Sequence, residues 1–215
     1  MHDHSDPARR HAIPMPRGLY LITPDESDDA RLLVRTEPLL AYAACLQYRN
    51  KRAPALQRRQ QADALRSLCA MQGIPFLVND DAALAAAVGA DGVHLGEHDG
   101  AIATARALLG NEAIVGISCY DDIQRARVAA AQGADYLAFG AFFASATKPD
   151  ARRASIDLPA AARPLGLPLV AIGGITPDNA PALLAAGIDM LAVISGVFDA
   201  PDPVVAARAY AACFH

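Results

Sequence analysis

Eight short apolar segments alternate with longer Ala-rich segments along almost the whole chain, and this alternation limits the fold more than any other feature of the sequence. The apolar segments are rich in branched side chains and are predicted to be strands, at 18–23, 44–49, 75–79, 92–95, 114–118, 136–140, 168–173 and 190–195. The segments between them have helical periodicity, and three carry helix-start signals: Asp121-Asp122, Thr176-Pro177 and Asp202-Pro203. Strands that alternate with helices indicate an α/β fold with a parallel sheet.

The fold class predicted from eight such units is α/β, a (β/α)8 TIM barrel in a single domain. A doubly wound open sheet is the alternative, but no G-x-G-x-x-G motif follows the first strand, and eight units of even length favour closure. We expect the barrel to occupy residues 18–215 and to follow a flexible N-terminal extension at 1–17.

A Gly-x-Asp motif recurs at the end of three Ala-rich segments, each time directly before a predicted strand. The three copies are Gly89-Ala90-Asp91, Gly133-Ala134-Asp135 and Gly187-Ile188-Asp189. Glycine is the expected residue just after a helix ends, because it adopts the left-handed conformation without steric cost. Structure therefore accounts for these glycines without a functional role.

The composition excludes several classes of protein. With 53% hydrophobic and 20% charged residues, the 215-residue chain can bury a large core, which excludes intrinsic disorder and a disulfide-stapled miniprotein. No apolar run is long enough for a membrane span, and residues 1–17 lack the apolar centre of a signal peptide. The four cysteines lack CxxC spacing, and the net charge of −4 offers no basic stripe for nucleic acid. We expect a cytoplasmic protein without a nucleic-acid or membrane partner, and the sequence leaves a homodimer open.

Polar residues at the predicted strand ends indicate where the chemistry lies, because barrel active sites form at the carboxyl ends of the strands. Gln47, Arg49 and Lys51 alternate after the second strand and share one face, so they are predicted to form an anion clamp. Ordinary solvated charge is the alternative for these residues. Asp80 and Asp99 follow the third and fourth strands and suit Mg²⁺, although helix capping would explain them equally well from spacing alone.

The later strand ends add a lysine and two glycine-rich turns. The chain has 17 arginines but only two lysines, and both lysines, Lys51 and Lys148, fall in loops on the predicted active face. Lys148 ends a loop of small and hydroxyl residues and is predicted to close on a substrate. Gly173-Gly174 and 194–196 follow the last two strands, where many barrels bind a phosphate group through backbone N–H groups.

Three residues with catalytic potential are assigned other roles. His94 lies between Val93 and Leu95 and is predicted to be a hydrogen-bonded residue of the barrel interior, and His98 a loop residue. Cys119 lacks an obvious partner base, so we do not expect a thiolate nucleophile.

Taken in order, the motifs QYRNK, VND, GADGVHLGEHD, GIS, GADYLAFGAFFASATK, AIGGI and AVISG closely resemble those of the thiamine phosphate synthase family, over residues 18–198. The resemblance implies a (β/α)8 barrel transferase that joins 4-amino-2-methyl-5-(diphosphooxymethyl)pyrimidine to 4-methyl-5-(2-phosphooxyethyl)thiazole with Mg²⁺, giving thiamine phosphate and diphosphate. It also implies a mechanism in which the pyrimidine ionises to a carbocation that the thiazole nitrogen captures. The implied partners are therefore these two small-molecule substrates.

The resemblance further implies roles for individual residues. Those implied to bind the pyrimidine diphosphate are Gln47, Arg49, Lys51, Asn79, Ser118 and Lys148, with Arg49, Lys51 and Lys148 stabilising the leaving group. Those implied to bind the thiazole phosphate are Ser145, Ala146, Thr147, Gly174, Ile194 and Ser195, and those implied to hold Mg²⁺ are Asp80 and Asp99. Two other functions remain open: a thiazole tautomerase, which has no use for a diphosphate clamp, and a non-catalytic sensor of thiazole phosphate or thiamine phosphate.

Overall fold

The computed structural model describes residues 15–144 and 152–215, which form a closed barrel of eight parallel strands. The strands pair in chain order, and β8 pairs with β1 to close the sheet. Their bounds are β1 Gly18–Ile22, β2 Ala43–Tyr48, β3 Phe76–Asn79, β4 Gly92–Leu95, β5 Ile114–Tyr120, β6 Tyr136–Gly140, β7 Leu169–Ile172 and β8 Met190–Val193. The eight predicted strands and the closed barrel are confirmed, and the open-sheet alternative is excluded.

Helices connect the strands. They are α1 Asp29–Thr36, α2 Ala55–Gln72, α3 Ala82–Val88, α4 Ile102–Leu109, α5 Ile123–Ala131, α6 Leu158–Ala162, α7 Ala180–Ala185, α8 Ser195–Phe198 and α9 Pro203–Ala212, with short 3-10 helices at Glu37–Tyr42 and Arg163–Leu165. Asp122 and Asp202 cap α5 and α9 as predicted, each accepting hydrogen bonds from first-turn N–H groups. At the third start signal, Thr176 begins a turn that leads into α7: its carbonyl accepts from the N–H groups of Asn179 and Ala180, and its hydroxyl accepts from the Asn179 N–H at 3.3 Å, while regular α-helix begins at Ala180.

Strand side chains alternate between two apolar clusters. In β1, Leu19 and Leu21 belong to the cluster that includes helix residues, whereas Tyr20 and Ile22 belong to a second cluster inside the barrel. That interior cluster consists of Tyr20, Ile22, Cys45, Leu77, Ile114, Tyr136, Ala138, Val170, Met190 and Ala192. Because both faces of each strand are buried, the strands are continuous apolar runs rather than alternating ones.

The described part of the predicted N-terminal extension contacts the barrel. Met15 packs against the interior cluster, and the Arg17 guanidinium lies 5.8 Å from the centroid of the Phe214 ring. Residues 1–14 of that extension lie outside the described residues. Over residues 15–144 and 152–215, no helix has the length and apolar character that a membrane span requires.

The aspartates of the three Gly-x-Asp motifs join the amino ends of neighbouring strands. The Asp135 carboxylate accepts a hydrogen bond from the Val115 N–H at 2.6 Å, while the Asp135 N–H donates to the Val115 carbonyl at 2.8 Å. The same two bonds connect the other aspartates to their strands, Asp91 to Phe76 and Asp189 to Leu169. These pairs connect β3 to β4, β5 to β6 and β7 to β8.

An arginine adds to each of these contacts. It comes from the helical segment that lies before the first strand of the pair. Arg106 donates to the Gly133 carbonyl and to the Asp135 carboxylate, both at 2.8 Å. Two other arginines bond the corresponding glycine carbonyls, Arg66 at Gly89 and Arg163 at Gly187. The three glycines have the left-handed φ expected from the sequence, at 63°, 90° and 102°. The repeated motif is therefore structural and lies at the amino ends of the strands, away from the predicted active face.

Asp135→Ala should lower the free energy of unfolding by about 2 kcal/mol, because the Val115 N–H and the Arg106 guanidinium would lose a charged acceptor. Urea denaturation followed by circular dichroism measures this change, with the exposed Asp63→Ala on α2 as the matched control. We expect kcat/KM per folded molecule to stay within about twofold of the parent. Equal stability of the two variants would show that the Asp135 carboxylate does not stabilise the contact between β5 and β6.

Candidate active site

A cavity of about 700 Å³ opens at the carboxyl ends of the strands. Ten of the predicted site residues line it: Gln47, Arg49, Lys51, Asn79, Asp80, Asp99, Ser118, Gly174, Ile194 and Ser195. They lie at the carboxyl ends of β2, β3 and β5, or in the loops after β2, β3, β4, β7 and β8, so closure of the barrel brings together residues that are far apart in the chain. The remaining predicted residues, Ser145, Ala146, Thr147 and Lys148, lie outside the described residues.

The loop after β2 holds the two cations of the predicted anion clamp. The Thr23 hydroxyl accepts from the Arg49 N–H at 2.8 Å and donates to the Arg49 carbonyl at 2.9 Å, which fixes the backbone there. The Asp25 carboxylate accepts from the Lys51 N–H at 2.8 Å and from the Arg49 guanidinium at 3.1 Å. The Lys51 ammonium lies 3.0 Å from an Asp80 carboxylate oxygen. Both side chains are therefore oriented by acidic partners at the cavity wall.

The two predicted metal ligands form a carboxylate pair rather than helix caps. Asp81 is the residue that caps α3, through the Leu84 N–H at 2.8 Å, while its neighbour Asp80 has a left-handed φ of 64° and faces the cavity. The Asp99 carboxylate accepts from the Gly96 N–H at 2.8 Å, and Ala101 occupies the N-cap position of α4. The capping alternative is therefore wrong for Asp80 and Asp99.

The pKa values of these two carboxyl groups move in opposite directions. Burial alone would raise the pKa of Asp80, but hydrogen bonds to Asp99 and Lys51 and the Lys51 charge outweigh it, so that this pKa is lowered. Burial and the neighbouring Asp80 raise the pKa of Asp99. Two carboxylates this close repel each other, and a divalent cation between them would relieve the repulsion.

The described cavity residues at the ends of β7 and β8, 173–175 and 194–196, have no ionisable side chains. Gly173 and Gly174 have φ values of 101° and 62°, and a Cβ on Gly174 would lie 2.2 Å from the Ala144 carbonyl oxygen. Among the described residues, no backbone acceptor takes the N–H groups of Gly174, Ser195 and Gly196. These groups are available to an anion, which is the arrangement that barrel phosphate sites use.

Five buried or part-buried side chains at the base of the cavity form one continuous series of hydrogen bonds, which we call the polar chain. Its members are, in order, Gln47, Tyr20, Tyr136, His94 and Ser118. Burial lowers the pKa of His94 to about 4 despite the opposing charge of Asp80, and burial raises the pKa values of Tyr20 and Tyr136 well above their usual range. The polar chain is therefore uncharged at neutral pH. The predicted interior position of His94 is confirmed.

Sequence reasoning missed several residues around the cavity. Tyr20 and Tyr136 lie in apolar runs that predicted only core positions. No local feature of the sequence indicated that their hydroxyl groups belong to the polar chain. Arg152 also borders the cavity, with its guanidinium 5.3 Å from the centroid of the Tyr120 ring. Because the chain contains 17 arginines, the sequence did not distinguish Arg152 as a cavity residue.

The remaining candidates lie where the sequence suggested. His98 is an exposed residue of the bend after β4. Cys119 is buried, and burial raises the pKa of its thiol to about 12. A thiol with so high a pKa stays protonated at neutral pH, so Cys119 does not supply a nucleophile.

Comparison with known proteins gives one consistent family. A family model described as thiamine monophosphate synthase matches residues 19–197. The thiamine-phosphate synthase of Xanthomonas campestris pv. campestris strain 8004 is 61% identical over 198 residues, covering 92% of this chain and 96% of that protein. The thiamine-phosphate synthase of Azoarcus sp. strain BH72 is 58% identical over 200 residues, covering 92% of this chain and 97% of its own length.

A solved structure agrees with the sequence comparisons. Thiamine phosphate pyrophosphorylase from Pyrococcus furiosus superposes with a TM-score of 0.80 at 35% identity, covering 91% of this chain and 94% of that one. A 3-hexulose-6-phosphate synthase, at 18% identity and a TM-score of 0.68, shares the fold alone. Because the family model and these relatives span nearly the whole barrel, this chain belongs to the thiamine monophosphate synthase family.

Proposed function

We propose that this enzyme joins 4-amino-2-methyl-5-(diphosphooxymethyl)pyrimidine to 4-methyl-5-(2-phosphooxyethyl)thiazole, releasing thiamine phosphate and diphosphate. One observation supports the proposal: a single cavity contains two regions of different chemistry, each with hydrogen-bond donors that suit an anion. One region combines Arg49 and Lys51 with a carboxylate pair, which suits a metal-bound diphosphate. The other offers backbone N–H groups after β7 and β8, which suit a monophosphate. Two such regions match two substrates.

The proposed residue roles follow this division of the cavity. The pyrimidine diphosphate would contact Gln47, Arg49, Lys51, Asn79, Ser118 and Lys148. The thiazole phosphate would contact Ser145, Ala146, Thr147, Gly174, Ile194 and Ser195. Eight of these twelve residues line the cavity together with the carboxylate pair, and their position supports the proposal. For residues 145–148 the proposal rests on the sequence alone.

Asp80 and Asp99 fit Mg²⁺, and we propose that they hold it. The ion commonly takes one or two protein carboxylates and completes its coordination with water and phosphate oxygens, so a pair beside a diphosphate region is sufficient. When bound, Mg²⁺ would neutralise charge that develops on the leaving diphosphate. Arg49 and Lys51, which lie beside this carboxylate pair, would bind oxygens of the same diphosphate and hold the leaving group in line.

The proposed chemistry needs no general base, and the site is consistent with that. The attacking thiazole nitrogen carries its own lone pair, so no proton has to be removed from it. His94 is held neutral by burial and its two ring nitrogens are both engaged, at 2.8 Å each. The neutral polar chain would therefore leave a carbocation at the base of the cavity without a nearby cation to oppose it.

We also propose that the reaction takes place in the cytoplasm. Cys45, Cys69, Cys119 and Cys213 are all free thiols, and the first three are buried. A chain that keeps its thiols unpaired suits a reducing compartment.

Purified protein should form thiamine phosphate only when both substrates and Mg²⁺ are present, because the diphosphate region needs its cation before the bond can break. The product can be followed by oxidation to fluorescent thiochrome, with EDTA and single-substrate reactions as controls. Product that forms equally well in EDTA would contradict the metal role of Asp80 and Asp99. Bound thiazole phosphate without turnover would instead favour the tautomerase or the sensor.

Asp99→Asn should lower kcat/KM by at least about 100-fold, equivalent to about 2.7 kcal/mol, because it removes one proposed metal-binding charge. The amide oxygen can still accept from the Gly96 N–H, so we expect the loop to keep its conformation. Glu97→Gln is the matched control, since Glu97 is an exposed carboxylate two residues earlier in the same loop. Equal loss of activity in both variants would show that general loop charge, not a metal ligand, explains the effect.

Lys51→Ala should likewise lower kcat/KM by about 100-fold, since it removes a cation from the diphosphate region. The neighbouring Arg52 is the control, because its side chain is 86% exposed and does not line the cavity. We expect Arg52→Ala to retain activity within about threefold. Steady-state kinetics at saturating Mg²⁺ would compare the two variants. If Lys51→Ala keeps the parent kcat/KM, Lys51 does not bind the diphosphate.

A further inference from the structure

The polar chain crosses the barrel interior without a break, and every link is short. The Gln47 amide nitrogen donates to the Tyr20 hydroxyl at 2.6 Å, and the two tyrosine hydroxyls lie 2.7 Å apart. The Tyr136 hydroxyl lies 2.8 Å from His94 Nδ1, and His94 Nε2 lies 2.8 Å from the Ser118 hydroxyl. Strands β2, β1, β6, β4 and β5 each contribute one of these side chains.

The hydrogen bonds of the polar chain all donate in one direction, from Gln47 toward Ser118, once the Gln47 amide nitrogen is the first donor. Each hydroxyl carries a single proton, and a neutral imidazole carries one N–H. An amide nitrogen cannot accept, so Tyr20 accepts from Gln47. Among the described residues, Tyr136 is the one acceptor within reach of the buried Tyr20 hydroxyl proton, so Tyr20 donates to Tyr136. Tyr136 then donates to His94 Nδ1, and the only remaining arrangement of His94 donates its Nε2–H to Ser118.

The two ends of the polar chain consequently present opposite polarity to the cavity. Ser118 accepts from His94 and keeps its own hydroxyl proton, and no described residue accepts that proton. The side-chain oxygen of Gln47, Oε1, accepts from no described residue either. Both residues line the cavity, so a ligand there meets a free donor at Ser118 and a free acceptor at Gln47.

The barrel is built around this arrangement. Gly116 on β5 lies opposite His94 on β4, and a Cβ on Gly116 would lie 1.9 Å from the Tyr136 Cζ atom and 2.3 Å from its hydroxyl oxygen. Glycine is therefore the only residue that leaves room for the Tyr136 ring. The His94 ring is stacked on Tyr136 with an interplanar angle of 19°, so neither ring can turn without displacing the other.

We propose that Tyr20, Tyr136 and His94 are positioning residues that hold the polar chain in this one direction, so that Gln47 and Ser118 select a 4-aminopyrimidine over its 4-oxo counterpart. An amino group donates and the ring nitrogens accept, which matches a free carbonyl oxygen and a free hydroxyl proton. The 4-oxo ring replaces the amino donor with a carbonyl acceptor and carries a proton on one ring nitrogen. This inference rests on the proposed function, because it specifies how the same cavity recognises its pyrimidine.

The direction of the polar chain can be tested without substrate by ¹⁵N NMR of histidine-labelled protein. The chain has six histidines, and the His94 resonances are identified by their loss in His94→Gln. We expect the neutral Nε2–H tautomer for His94. The Nδ1–H tautomer would mean that the polar chain runs the opposite way, and it would overturn the inference whatever the enzyme's activity.

The selectivity is tested by kcat/KM for the 4-amino pyrimidine diphosphate and for its 4-oxo analogue. We expect the parent enzyme to favour the amino substrate by at least about 1000-fold, because the oxo ring would leave buried groups unpaired. Tyr136→Phe removes the central hydroxyl, and we expect it to reduce that ratio at least about tenfold and to change the His94 tautomer signal.

Tyr48→Phe is the matched control, since it also removes one buried hydroxyl, which donates to Gln61 at 2.8 Å outside the polar chain. We expect it to keep both the parent ratio and the His94 tautomer. An unchanged ratio in Tyr136→Phe would overturn the inference. A parent enzyme that turns over neither pyrimidine would count against the proposed function, and the tautomer would still decide the direction of the polar chain.

Discussion

The hydrogen bonds between β1 and β8 close the sheet, and the cavity exists because of that closure. Gly18 to Leu21 pair in parallel register with Met190 to Val193, so the first and last strands of the chain become neighbours. Closure places the carboxyl ends of all eight strands around one opening. Residues from the loops after β2 and β8, nearly 150 positions apart, then line the same 700 Å³ space.

The two ends of the barrel divide stability and chemistry between them. At the amino ends, Asp135 is satisfied by a backbone N–H and by Arg106, so its charge is fully engaged within the protein. At the carboxyl ends, Asp99 has one backbone donor and a like-charged neighbour, Asp80. Both sites use aspartates beside strands, but only the second leaves charge that an external cation could neutralise. This difference in partners separates the structural Asp135 from the two aspartates that we propose bind Mg²⁺.

The sequence could predict the strands but not which polar side chains meet inside the barrel. Apolar runs of branched residues identified all eight strands because both faces of a parallel strand are buried, and strand ends identified the cavity residues because a barrel brings those ends together. Distinguishing Asp80 from the capping Asp81 required the backbone conformation, since the two are adjacent in the chain. Tyr20 and Tyr136 meet only through the register of nonadjacent strands, and no local pattern encodes that contact.

Charged side chains lie at the opening of the cavity, and uncharged groups lie at its base. The ionised side chains Arg49, Lys51 and Asp80 stand near the rim, whereas the base consists of groups that burial keeps neutral. A charged His94 at the base would oppose positive charge on a bound ring, and the same burial that lowers its pKa prevents this. Burial of the polar chain therefore keeps the base of the cavity neutral, and the hydrogen bonds within it fix which groups at its two ends face the substrate.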